Sequence, residues 1–182
     1  MSKTLVVSLF GGPGTGKSTC AAGVFAELKN RGVNAELVSE YIKKWAWRGI
    51  HPNQFDNLYI FGKQSHAESI LYGKVDVVVT DSPILVSAYY EDKYHPTNRL
   101  VKPAALRFIE LTAAQGVSRK NFWLVRRKAY NPAGRYQTED QAKEIDSEMD
   151  QWLVDNKVPF EDIRVEDRRR AGLIADLVCG IL

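Results

Sequence analysis

Between Gly11 and Ser18 the chain reads Gly-Gly-Pro-Gly-Thr-Gly-Lys-Ser, which satisfies G-x-x-x-x-G-K-[ST] at every fixed position. Glycine lets a backbone turn its N–H groups inward and approach a phosphate closely. Lys17 is placed to hold the β- and γ-phosphates of a nucleoside triphosphate, and the Ser18 hydroxyl to ligate Mg²⁺. Gly12, Pro13, Gly14, Thr15, Gly16 and Thr19 complete the cradle. The chemistry expected here is the binding of a nucleoside triphosphate with Mg²⁺. The motif alone leaves open what becomes of the γ-phosphate.

Other residues bear on that question. Asp81 follows a valine-rich run, where a carboxylate reaches the Mg²⁺ or its waters, or else caps the next helix. Ser82 stands where many motor-type ATPases carry a catalytic Glu, and Asn156-Lys157 continues as Val158-Pro159, not as the N-K-x-D of GTP-binding switches. Glu40 ends a second apolar run; a carboxylate there can accept the proton of an attacking hydroxyl, or simply sit at a helix start. Arg126, Arg127, Lys128 and Arg135 lie in a stretch, Arg126 to Tyr136, that contains no acid. Its Asn-Pro and Ala-Gly turns mark an exposed loop, and mobile arginines there can close on a transferring phosphoryl group. Tyr41, Lys44, Trp45 and Arg48 share one helical face, aromatics for a base and cations for phosphate. Gln64 on the next helix offers an amide to a base edge, and Arg168-Arg169-Arg170 reads as a solvated helix start.

These groups need elements to hold them. Leu5–Phe10 reads as a buried strand and Ser18–Arg31 as a helix stopped by Gly32. Val33–Ser39 and Asp76–Thr80 read as strands, with a short helix from Tyr41 to about Arg48 and a long one from Gln54 to Tyr72 between them. On the long helix Leu58, Phe61, Ser65 and Glu68 share a side. Pro83 suits the first turn of a helix at Ile84–Tyr90, followed by a polar connection from Glu91 to Lys102 and a helix opened by Pro103. That helix carries Leu106, Ile109 and Ala113 as its stripe. Asn121–Val125 is a fourth strand, and Thr138–Gln141 a capping box whose helix carries Ala142, Ile145, Met149 and Trp152 as its stripe. Phe160–Val165 is a fifth strand and Arg168–Leu182 a closing helix. Strands alternating with helices predict an α/β fold, a parallel sheet covered on both faces, with ligands beyond the C-terminal strand ends. Those ends carry the phosphate loop, Glu40, Asp81 and Arg126.

With 182 residues, 45% hydrophobic and 26% charged, the chain suits one domain with a sizeable core. A net charge of +3 is compatible with an anionic partner. Cys20 and Cys179 are far apart in apolar helical patterns, so buried free thiols and a reducing, cytoplasmic compartment are expected. No stretch approaches the roughly 20 apolar residues of a membrane span. The three histidines are scattered, with no spacing for structural zinc.

The phosphate loop, Ser39-Glu40-Tyr41, Thr80-Asp81-Ser82-Pro83 and the 130–139 loop together resemble the P-loop nucleoside and nucleotide kinases. More narrowly, the chain resembles bacteriophage kinases of the thymidylate-kinase-like superfamily, among them the 5-hydroxymethyluracil DNA kinases. The resemblance implies a three-layer fold with a five-stranded parallel sheet ordered 2-3-1-4-5. It implies Lys17 and Ser18 on phosphate and metal, Glu40 as base, and Arg126, Arg127 and Arg135 on a short lid at about 126–137. It implies ATP, Mg²⁺ and a nucleotide-type acceptor, including a base in DNA, in the host cytoplasm. Thymidylate kinases read Asp-Arg-Tyr where this chain has Asp81-Ser82-Pro83, which argues for an acceptor other than thymidylate. A kinase of free nucleosides or nucleoside monophosphates, and a nucleotide-dependent switch without an acceptor, remain alternatives.

Overall fold

The computed structural model describes residues 3–127 and 129–182. Among these, β1 (Thr4–Phe10), β2 (Ala35–Val38), β3 (Val77–Thr80), β4 (Val117–Leu124) and β5 (Glu161–Ile163) form one parallel sheet in the order β2-β3-β1-β4-β5. This is the architecture and strand order expected. The helices are α1 (Lys17–Asn30), α2 (Lys43–Trp47), α3 (Asp56–Ser69), α4 (Ile84–Tyr94), α5 (Val101–Ala113), α6 (Glu139–Asp155) and α7 (Asp167–Cys179).

Every residue of β1 is buried, so alternation in β1 selects between two cores rather than between core and water. Leu5, Val7 and Leu9 pack with Cys20, Ala21, Val24 and Leu28 of α1 and Ile174, Ala175 and Val178 of α7. Phe10 turns to the other face, against Phe61, Ile84, Ala88, Trp123, Ile145 and Met149 from α3, α4, β4 and α6. Each such side chain contributes about 1.5–3 kcal/mol on burial. The register aligns Ser8 with Thr80 of β3 and Asn121 of β4, so the residues beyond these three strands emerge at one edge.

Local chemistry sets the ends. Gly32, at φ +80, donates to Lys29 O, and Val33 donates to Leu28 O; together these bonds close α1 with a Schellman motif. At α6, Thr138 Oγ1 accepts from Gln141 N at 3.3 Å while Gln141 Oε1 accepts from Thr138 N at 2.9 Å, so the capping box forms as read.

Several boundaries differ from the sequence reading. α4 runs on to Tyr94 instead of ending at Tyr90, because Glu91 is no loop residue: it is buried, and its Oε2 accepts from the backbone of Leu100 and Val101 at 2.9 and 2.8 Å, capping α5. α5 therefore starts at Val101, before Pro103, and buries Val101, Ala105 and Thr112 while Leu106 is exposed. On α3 Leu58 is exposed, and Asn57, Ile60, Phe61 and Gln64 turn inward. β4 begins at Val117, four positions before the Asn121 read from sequence. Cys20 is a buried thiol, pushed up to about 12 by burial, but Cys179 is exposed, at the last position of α7. No helix among the described residues is long and apolar enough to cross a membrane.

Candidate active site

The phosphate loop joins β1 to α1 at the C-terminal edge of the sheet. Gly16 enters α1 in the left-handed region, at φ 97, with no side-chain cap and no acid in the first turn. The helix therefore presents unpaired N–H groups and its positive dipole end, unlike the side-chain-capped α6. Gly14, at φ +85, lies under the Tyr130 ring; a Cβ there would approach Tyr130 Cδ2 to 2.8 Å and Arg126 Nη1 to 3.2 Å. Lys17 Nζ donates to Gly11 O at 2.7 Å and Gly12 O at 2.9 Å, folded back over its own loop. Burial lowers the Lys17 pKa, and Glu40, Asp81 and Asp146 pull it back up.

Two carboxylates stand beside the lysine at neighbouring strand ends. Asp81 is buried, and its Oδ1 accepts from Glu40 N at 2.8 Å, which locks the ends of β2 and β3 together. Ser82 N is taken by Thr80 Oγ1 at 3.2 Å. The Asp81 side chain bonds across to β2 rather than capping α4, which has no side-chain cap. Burial raises the Glu40 pKa; Lys17 opposes and Asp81 reinforces that shift. Lys43 Nζ donates to Ser18 Oγ at 3.4 Å, adding a cation that the sequence reading had not singled out.

These groups open into a cavity of about 670 Å³, the size range of small-molecule and cofactor pockets. Pro13, Gly14, Gly16, Lys17, Ser18, Thr19, Glu40, Asp81 and Arg135 line it, whereas Gly12 and Thr15 support it from behind. Thr15 is buried, with its Oγ1 on Gly12 O at 3.0 Å. Part of the lining is aromatic. Tyr90 and Tyr94 of α4 stack with rings 5.9 Å apart and 4° from parallel, and Trp47, His51 and Tyr136 line the cavity too. Burial, with Glu40 adding to it, raises the Tyr90 phenol far above its ordinary range.

The residues read from sequence as the acceptor side lie outside this cavity. The face bearing Tyr41, Lys44, Trp45 and Arg48 does not line the cavity; Lys43, Ala46 and Trp47 do. Tyr41 precedes α2, and its hydroxyl meets that of Tyr59 at 2.9 Å, while the Trp45 ring stacks on Tyr59 at 6.1 Å. That small aromatic cluster turns their face away. Gln64 is likewise no base-reading amide: it is buried, its Oε1 accepts from Tyr41 N at 3.2 Å, and its Nε2 donates to Thr80 Oγ1 at 3.4 Å.

The basic loop divides. Arg126 is fixed over the phosphate loop: Nε donates to Asp146 Oδ2 at 2.5 Å and Nη2 to Pro13 O at 2.7 Å, leaving Nη1 buried without a partner beside Gly14. Asp146 Oδ1 also accepts from Gly12 N at 2.7 Å, so one carboxylate ties α6, the loop and Arg126. Arg135 lines the cavity with its guanidinium 5.4 Å from the Tyr130 ring. Arg127 is exposed and does not line the cavity, and Lys128 lies outside the described residues. Asp146 carried no motif that would have marked it. Nor did Arg170, read as a solvated helix start. It is 1% exposed, donating to Thr15 O at 2.9 Å, Val165 O at 3.4 Å and Val125 O, and pairing with Asp167.

Ser18 and Asp81, read from sequence as Mg²⁺ ligands, both line the cavity. Among the described residues no group of three His, Cys, Asp or Glu could hold a metal ion.

The profile of the AAA domain family matches residues 6–170. Among solved structures, the NadR protein in complex with NR resembles the chain with a TM-score of 0.69 at 19% identity, covering 98% of this chain and 51% of that one, so the chain spans about half its length. Deoxyadenosine kinase from M. mycoides, with dCMP and a flexible dCDP bound, gives a TM-score of 0.61 at 14% identity over 96% of this chain and 99% of that one. The APS kinase CysC of Mycobacterium tuberculosis, in complex with AMPPNP and APS, gives 0.55 at 14% identity over 98% and 99%. At such identities the likeness is one of fold. No curated protein matches the sequence.

Proposed function

The chain belongs to the AAA domain family, and from that premise we propose that it is an ATP-dependent kinase acting on a hydroxyl of a nucleotide-type acceptor, with residues 1–182 as one catalytic domain and 126–137 as its lid. The observation that carries this reading is that one cavity is lined both by the phosphate cradle with Glu40 and by the stacked Tyr90–Tyr94 pair. Aromatic rings beside the phosphate cradle suit a ligand with a planar ring, which supports a nucleotide-type acceptor. Two of the structural neighbours bear kinase names, deoxyadenosine kinase and APS kinase, which supports the reaction class.

The roles follow from position. Lys17, released from its loop carbonyls, holds the β- and γ-phosphates. Ser18 and Asp81 would hold Mg²⁺, which would supply positive charge to offset that of the triphosphate. Glu40, a carboxylate made more basic by burial, orients the acceptor hydroxyl and takes its proton. Arg135 and the free Nη1 of Arg126 meet the charge that spreads over the γ-phosphate oxygens. The acceptor we favour is 5-hydroxymethyluracil in phage DNA, whose hydroxymethyl group projects from a planar ring. Ser82-Pro83, in place of the Arg-Tyr of thymidylate kinases, supports an acceptor other than thymidylate. Competition between hydroxymethylated DNA and free nucleosides or nucleoside monophosphates for one limiting pool of labelled ATP tests the choice. Label in the DNA is expected; label confined to the free compounds would move the assignment to a small-molecule kinase.

A further inference from the structure

Two segments of the chain, 41–55 and 126–138, contain no Asp or Glu. They are distant in sequence, and the fold joins them at the edge of the cavity. The Gly134 backbone lies against the Trp47 indole, where an added Cβ would come within 2.6 Å of the ring. Tyr136 donates to the Ile50 carbonyl, and its ring lies 5.0 Å from that of His51. The joined rim carries Lys43, Lys44, Arg48, Arg127 and Arg135, and none of them is ion-paired with an acid among the described residues.

The same rim exposes large aromatic surface. Trp47 is 65% and Phe55 69% exposed, and Tyr59 beyond them is 46% exposed with Lys63 Nζ 5.4 Å from its ring centre. Core packing accounts for neither Trp47 nor Phe55. Unpaired cations interleaved with open aromatic faces complement a ligand that has both phosphodiesters and unstacked bases. A protein surface would offer no regular charge for the cations. A duplex would offer its backbone but no free base for the rings.

We propose that this rim is a binding track for single-stranded DNA, along which one base is directed into the cavity. The inference rests on the reading of the acceptor as a base in DNA. A base cannot enter an enclosed pocket while stacked in a helix, so its neighbours must be held outside it, unstacked. Trp47 and Phe55 hold those neighbours, and Lys44 and Arg48 take the flanking phosphates, which gives the face turned from the cavity a role outside it.

Fluorescence anisotropy of a labelled twelve-nucleotide oligothymidylate, titrated with the full chain over a series of salt concentrations, tests this. Binding is expected to weaken as salt rises, each lost phosphate contact lowering the log–log slope by about 0.7. Lys44→Glu with Arg48→Glu should weaken binding and flatten the slope. Trp47→Ala and Phe55→Ala should each cost on the order of tenfold with the slope unchanged, and Trp47→Phe should restore most of it. Thermal unfolding of each variant separates loss of contact from loss of fold. Absence of binding at low salt, indifference to these substitutions, or tighter binding of the matched duplex or of the matched RNA would overturn the proposal. A chain that phosphorylates free nucleosides yet ignores the oligonucleotide refutes the track and leaves the kinase reading; a chain that binds as described but transfers no phosphate refutes the kinase reading and leaves the track.

Discussion

Lys17 and Glu40 bracket the bond that would break and the hydroxyl that would attack. Lys17→Ala removes the group expected on the β- and γ-phosphates, and phosphoryl transfer should fall by about 10²- to 10³-fold. Glu40→Gln keeps the shape of the side chain and removes the base; a loss of about 10²- to 10⁴-fold in kcat is expected in steady-state kinetics. Glu40 also yields a prediction of the opposite sign. Its carboxyl pKa is raised in the folded protein by burial. Between the ordinary and the raised value the folded state binds more protons than the unfolded one, so stability declines as pH rises through that window and stays lower above it. Glu40→Gln should therefore raise the unfolding temperature at neutral pH while lowering activity, and the acidic limb of the wild-type rate profile should lie above the usual carboxylate range. Equal unfolding temperatures at neutral pH would show that the buried charge carries no such penalty.

The contrast between Lys17 and Arg170 shows what sequence can carry. Lys17 sits in a fixed motif whose spacing encodes its partner, and it was legible for that reason. Arg170 finds its partners on Thr15, Val125 and Val165, backbone carbonyls brought to it only by the fold. Asp146 is of the same kind, reaching Gly12 N across the chain. A side chain that serves backbone groups leaves no pattern of residue types to read.

Elements that make one packing choice were read well, and elements whose polar residues turn inward were not. β1 and β3 are wholly buried, and their apolar runs say so. The end of α4 was missed because Glu91-Asp92-Lys93 looks like solvent-facing chain, whereas Glu91 is a buried cap and Asp92 accepts from Trp152 Nε1 at 2.9 Å. For the same reason Tyr94 was not legible as a cavity residue: it lies in the part of α4 beyond Tyr90, whose helical state depends on Glu91. Two stability tests belong at this scale. Arg170→Ala leaves three carbonyls without their donor, and a loss of roughly 3 kcal/mol or more is expected, about 6–12 °C in the unfolding temperature of a chain this size. Thr138→Ala removes one half of the capping box of α6 and should cost about 1 kcal/mol, so the two variants should differ several-fold in chemical denaturation.

At the scale of the molecule, one edge of the sheet gathers the loop after β1, Glu40 after β2, Asp81 after β3 and Arg126 after β4. This arrangement was foreseeable from strand order, because parallel strands deliver their C-terminal ends to one side. The closing of the 126–138 loop against α2 and the residues after it was not, since it depends on Gly134 admitting the Trp47 ring. ATP with Mg²⁺ should stabilise the whole chain by about 2.7 kcal/mol at a hundredfold excess over Kd, and Lys17→Ala should abolish most of that shift in thermal unfolding.

The central claim is that the γ-phosphate passes to another molecule. Its most direct test is to follow γ-labelled ATP with Mg²⁺ in the presence of hydroxymethylated single-stranded DNA, free nucleosides and nucleoside monophosphates, measuring the share of released label that ends in organic product. Label should be recovered mainly on an acceptor hydroxyl, with transfer lost in Lys17→Ala. Recovery of all released label as inorganic phosphate, whatever acceptor is offered, would contradict the account.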